Sequence, residues 1–158
     1  MGQMRGISAA LLGVLLCVGP ARAAEGQWQV RQFPESGSVT LIYDTPGGGE
    51  ELLGFYCNEH GKQFSIAYYV SAKRFRDKEK TKMTLSSEAG TLSWPMTAGS
   101  SQTGNDLGLS AETTLTPALI SLLSAGSQLT IAAKGRKQQI PLAGIESGLA
   151  DLKSVCKS

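Results

Sequence analysis

The chain has 158 residues, of which 41% are hydrophobic and 18% charged, with 15 basic against 13 acidic side chains. That length supports one domain with its own core, and the near-balance of charge excludes a global pull toward nucleic acid. One histidine and the two cysteines beyond position 23, Cys57 and Cys156, are too few for the usual four-ligand structural zinc site.

Residues 1–23 read as a secretory signal peptide. Arg5 gives a positive start, Ile7 to Val18 is a mostly apolar run, and Ala21-Arg22-Ala23 is a small-residue cleavage site. An apolar run of about a dozen residues falls short of the roughly 20 that a membrane helix needs. Cys17 follows Leu16, where a lipoprotein signal would carry a small residue, so it reads as part of the discarded leader. Removing the leader takes away Arg5 and Arg22 and no acidic residue. The mature chain then has 13 basic and 13 acidic residues and is neutral. The expectation is a periplasmic or secreted protein without a transmembrane segment.

Cys57 and Cys156 remain, and in an exported chain two cysteines are most simply one disulfide. Closing a loop of about 100 residues contributes about 4–5 kcal/mol in the chain-entropy description. Domains are typically stable by only about 5–15 kcal/mol. A reactive thiol pair would favour a C-x-x-C spacing, which is absent.

From Gln27 onward the pattern is strand and turn. Trp28, Val30 and Phe33 nearly alternate before Pro34, and Ser38 to Tyr43 is β-branched and aromatic. Thr45-Pro46-Gly47-Gly48-Gly49 is a turn; no Gly-Lys-Ser/Thr follows, so it is no phosphate loop. Leu52 to Cys57 is a third strand, and Asn58 to Lys62 turns it back. Phe64, Ile66, Tyr68 and Val70 then alternate strictly, which points Tyr68 inward and Tyr69 outward. Thr81, Met83 and Leu85 alternate again, and Leu92 and Trp94 follow the break at Gly90. Pro95 predicts an edge or a bend. Ala98 to Asn105 reads as a long polar loop, and Leu107 to Thr113 as another strand.

Two helices are well punctuated. Thr116 is the N-cap, Pro117 the first helical residue, and Gly126 lies past the end of a run carrying Leu119, Ile120, Leu122 and Leu123. Leu129, Ile131 and Ala133 form a strand that turns at Gly135-Arg136 into Gln138 and Ile140. In the terminal helix Ile145, Leu149, Leu152 and Cys156 share one face, with Glu146 in the first turn and Lys153 in the last. Seven to nine short strands with late helices predict a mainly β fold, an antiparallel β-sandwich or open barrel, over 24–158.

Three features carry a resemblance: Trp28 soon after the leader, the strand Leu53-x-x-x-Cys57, and Leu142-x-Gly144-x-x-x-x-Leu149-x-x-Leu152-x-x-x-Cys156. The chain resembles small periplasmic proteins associated with type VI secretion clusters and, more loosely, the invasion-associated locus B group, whose further cysteines it lacks. The resemblance implies an exported, mostly β, non-enzymatic accessory module with a cysteine-tied end.

Catalytic chemistry is thinly represented. His60 lies in a polar turn beside Glu59, no Gly-x-Ser-x-Gly elbow occurs, and Ser154-x-x-Lys157 straddles Cys156. Asp44, Glu50 and Glu51 flank a glycine turn without EF-hand spacing. The one charge concentration is Lys73, Arg74, Arg76, Lys78, Lys80 and Lys82, with Phe75 in its midst. It is either a solvated strand guarded against aggregation or a patch for an anionic partner such as a lipid head group or polysaccharide. Lys134, Arg136 and Lys137 are candidates to extend it, and the outward Tyr69 is a candidate contact. The expectation is a non-enzymatic module binding a cell-envelope or secretion-related partner, without cofactor or metal. The alternative is an inhibitor of an exogenous hydrolase such as a lysozyme, working through loop Asn58 to Lys62 or Ser100 to Asn105.

Overall fold

Strict alternation makes strands with one apolar and one polar face, and the chain lays these into a single antiparallel sheet. The structure is a computed structural model, and it describes residues 26–46, 51–58, 60–69, 75–100 and 107–156. Its elements are β1 (Gln27–Phe33), β2 (Ser38–Asp44), β3 (Glu51–Asn58), β4 (Gln63–Tyr69), β5 (Lys80–Ser87), β6 (Gly90–Ser100) and β7 (Leu107–Thr113). Then come α1 (Pro117–Ser124), β8 (Gln128–Ala133), β9 (Arg136–Pro141) and α2 (Glu146–Val155). The expected leader lies outside the described residues. No helix among the described residues is long and apolar enough to cross a membrane.

The strand order is β1-β2-β3-β4-β7-β6-β5-β8-β9. The sheet curls into a half-barrel, so of the two expected arrangements the open barrel is the one formed. The curl brings the two edge strands within reach. Trp28 on β1 donates its Nε1–H to the carbonyl of Pro141 on β9 at 2.8 Å. The Tyr68 hydroxyl on β4 donates to Gln138 Oε1 on β9 at 3.4 Å.

Inward positions fill the concave side. Leu41, Phe55, Ile66, Leu109, Met83, Leu85 and Ile131 are fully buried there. Tyr68 is buried with them, as its phase predicts. The two helices cover this side. α1 packs on β5 and β6, α2 packs on β1 and β2, and the helices touch each other. Thr116 Oγ1 accepts from the Leu119 N–H at 3.2 Å, the N-cap read from the sequence. Ile145, Leu149, Leu152 and Cys156 are all buried, as the helical spacing predicts. Gly148 lets α2 approach closely. A Cβ there would stand 2.6 Å from Val30 Cγ2 and nearer still to Leu41 Cδ1.

Cys57 at the end of β3 and Cys156 at the end of α2 form a disulfide, with Cα atoms 5.8 Å apart. It fastens the last helix to the first meander across a sequence separation of 99.

Two local expectations change. The loop expected from Ala98 belongs in its first part to β6, because Thr97 to Ser100 pair with Ser110 to Leu107 of β7. Ala98 is buried there, and residues 101–106 lie outside the described set. Pro95 is not on an edge strand, since β6 lies between β5 and β7. Pairing with β7 begins only at Thr97, so the missing N–H of Pro95 breaks no bond between those two strands.

Candidate functional site

With the concave side taken by the helices, the outer face of β1, β2, β3, β4, β7 and β6 is left for other work. Strand register decides what meets there. Arg31 pairs with Thr40, Thr40 with Tyr56, and Tyr56 with Ser65. One row further along, Gly54 pairs with Ala67 and Ala67 with Ser110; in the next, Tyr69 pairs with Gly108 and Gly108 with Gly99. The small residues form the floor of a groove of about 470 Å³, with Arg31, Phe33, Glu51, Tyr56 and Tyr69 along its sides.

The glycines determine the shape. A Cβ at Gly54 would stand 2.6 Å from Tyr56 Cε2, and one at Gly108 would stand 2.9 Å from Tyr69 Cδ1. Both rings therefore lie down over the sheet where glycine leaves room, instead of standing away from it. Their hydroxyls meet at 3.1 Å, and the Tyr56 hydroxyl donates to Glu51 Oε1. With that proton committed to Glu51, the Tyr69 hydroxyl is the donor to Tyr56.

The electrostatics follow from partial burial. Desolvation pushes the Glu51 carboxyl up from its ordinary 4.5 to about 7; Arg31 pulls it down, and Asp44 adds to the rise. Burial, with the Glu51 charge as a smaller contribution, pushes the Tyr69 phenol up to about 12. Glu51 thus changes charge near neutral pH while Tyr69 keeps its proton. At the rim, Phe33 is 49% exposed.

Of the residues singled out in the sequence, Tyr69 belongs to this groove. Lys73 and Arg74 lie outside the described residues. Phe75 is not a surface contact: it is 7% exposed and packs in the core, with the Lys134 ammonium 5.2 Å from its ring centroid. Apolar packing has claimed the one aromatic of the basic run. Lys134 is occupied by an ion pair with Glu79 at 2.5 Å, which holds the Glu79 carboxyl below the usual range. Arg76 and Lys78 are exposed in the turn before β5. Lys80 and Lys82 alternate onto the outer face, where Lys80 pairs with Thr97 beside the groove. Lys137 shares that face through Ala132 and Thr84, whereas Arg136 pairs with the inward-phase Ala133. Among the described residues, the cations of the run are divided between a turn and a strand face.

His60 is exposed in the β3–β4 turn at φ 56, and its ring lies against Gly37 of the β1–β2 turn. Ser154 Oγ donates to the Asp151 carbonyl at 2.8 Å, and Lys157 lies outside the described residues. Asp44 is buried, Glu51 is bonded to Tyr56, and Glu50 is outside the described set. Among the described residues, no group of His, Cys, Asp and Glu could hold a metal ion. The loops expected to enter a hydrolase cleft, 58–62 and 100–105, are only partly described.

The sequence reading missed Arg31, Glu51 and Tyr56 as a group. One signal was present: Gly54 and Tyr56 occupy the outward phase of a strand whose inward residues, Leu53, Phe55 and Cys57, are apolar, which marks a place where a ring can lie flat. No family profile, curated protein or solved structure matches this chain.

Proposed function

We propose that this protein is an exported, non-enzymatic binding module that serves a cell-envelope or secretion-related partner through the groove on its outer face. The observation that carries the reading is the pair of tyrosine rings laid over Gly54 and Gly108 in an open groove. A half-buried ring lying along a groove offers an apolar face with a polar edge, which suits an incoming group. Glu51, Arg31 and the two phenols supply the few polar atoms that fix orientation in such sites. The disulfide and the helices hold the sheet behind the groove, so the groove is preorganised and loses little entropy on binding.

The test is retention of the tagged protein on its own washed cell-envelope fraction. The expected result is that wild type and a Lys153→Glu control on the helix side are retained, while Arg31→Glu/Tyr69→Ala is released. Equal retention of all three would remove the groove from consideration.

A further inference from the structure

We propose that the groove binds a glycan chain, with pyranose rings stacked on Tyr69 and Tyr56 and hydroxyls bonded to the polar groups beside them. The inference rests on the binding-module reading above and names its occupant.

Four features of the groove select this chemistry. The first is the aromatic geometry. The rings lie along the sheet over Gly108 and Gly54, and a pyranose ring presents a face of C–H bonds whose positive edge suits the negative π face. The second is the polar complement. A sugar carries donor–acceptor hydroxyls on adjacent carbons and needs clustered groups of both kinds. Here a carboxyl, two phenols and a guanidinium line one site, with Ser65 and Ser110 on the floor. The third is the floor. Serine, alanine and glycine make it shallow, without the deep apolar pocket that an anchoring side chain of a protein partner would fill. The fourth is extent. The groove runs across the strands from Arg31 on β1 to Gly99 on β6, six neighbouring strands at about 4.8 Å each, on the order of 20 Å. That suits a chain of sugars better than one ring.

The Glu51 carboxyl gives the site a pH dependence. Near its midpoint of about 7 it passes from a donor–acceptor to an acceptor only, so neutral and acidic sugars respond differently to pH. The charged groups facing it are Arg31, which stabilises the carboxylate, and Asp44, which opposes it.

The experiment is calorimetric and NMR titration of the purified protein with three soluble probes: cellotetraose, chitotetraose and tetragalacturonate. At least one is expected to bind saturably and to shift the resonances of Tyr56, Tyr69 and Gly108. Tyr69→Ala should weaken that binding by about tenfold, while Tyr69→Trp, which keeps a stacking face, should stay within about threefold of wild type. The Trp variant separates loss of stacking from loss of fold, and a matching thermal transition in both variants is part of the result. Absence of saturable binding for all three probes at millimolar concentration would overturn the proposal. So would binding unaffected by Tyr69→Ala, or shifts confined to the helix side. A polypeptide crosslinked from Phe33 in the cell envelope, with no probe bound, would keep the groove as the binding surface and reject the glycan.

Discussion

Glu51→Gln tests the electrostatics of the groove through stability alone. Folding raises the Glu51 carboxyl from 4.5 to about 7, chiefly by desolvation. Between those values the native state holds more protons than the unfolded chain, so unfolding becomes easier as pH rises through the window. Below 4.5 both states carry a neutral carboxyl and there is no penalty. Above about 7 the folded protein carries a partly buried charge and the penalty is complete. The gap from 4.5 to about 7 corresponds to about 3 kcal/mol, since one pH unit is about 1.4 kcal/mol. The group is only half-buried, and solvent screening reduces this to about 1–2 kcal/mol. Glutamine keeps the acceptor for the Tyr56 hydroxyl and cannot ionise. Urea unfolding of both proteins at pH 4.5 and pH 8.5 gives the double difference, in which any pH-independent effect of the substitution cancels. The variant should gain about 1–2 kcal/mol on wild type between the two conditions. A double difference of zero, or a loss, would show that the carboxyl is not held in the half-buried setting described.

Three further outcomes follow from the packing. Thiol titration of the unfolded, unreduced protein should find neither Cys57 nor Cys156 free, and Cys57→Ser/Cys156→Ser should lose about 2–5 kcal/mol; two reactive thiols would contradict the bond. Gly148→Ala adds a better helix former by about 1 kcal/mol but forces a methyl group onto Val30 and Leu41, so it should destabilise by about 1–2 kcal/mol net, and a raised urea midpoint would refute the close approach of α2. Lys80→Glu/Lys82→Glu/Lys137→Glu should weaken retention on acidic polysaccharide at low salt while leaving the urea midpoint within about 0.5 kcal/mol equivalent; unchanged retention would confine that face to solubility.

What the sequence made readable was periodic. Phe64, Ile66 and Tyr68 alternate because one face of β4 is covered, and Ile145, Leu149 and Leu152 recur at helical spacing because one stripe of α2 is covered. Thr116, Pro117 and Gly126 mark α1 because helix ends leave backbone groups that only certain residues satisfy. Beyond the outward phase of Gly54 and Tyr56, the groove left no such trace. It depends on β4 pairing with β7, a long-range choice of register that sets Tyr69 against Gly108. The same choice carries β6 and its Gly99 to the groove's far end. One residue of the basic run was hard to place for a related reason. Phe75 stands among cations in sequence, yet in the connection before β5 it turns into the core. Local charge counts carry no information about such a turn.

The most direct test of the central claim is site-specific photocrosslinking in the native cell envelope. A benzophenone side chain is placed at Phe33 or Ser110 in the groove, or at the exposed Ala150 on α2. Adducts from Phe33 and Ser110, with none from Ala150, are the predicted result. Adducts from Ala150 alone, or from none of the three positions, would contradict the claim that this protein binds through its outer face.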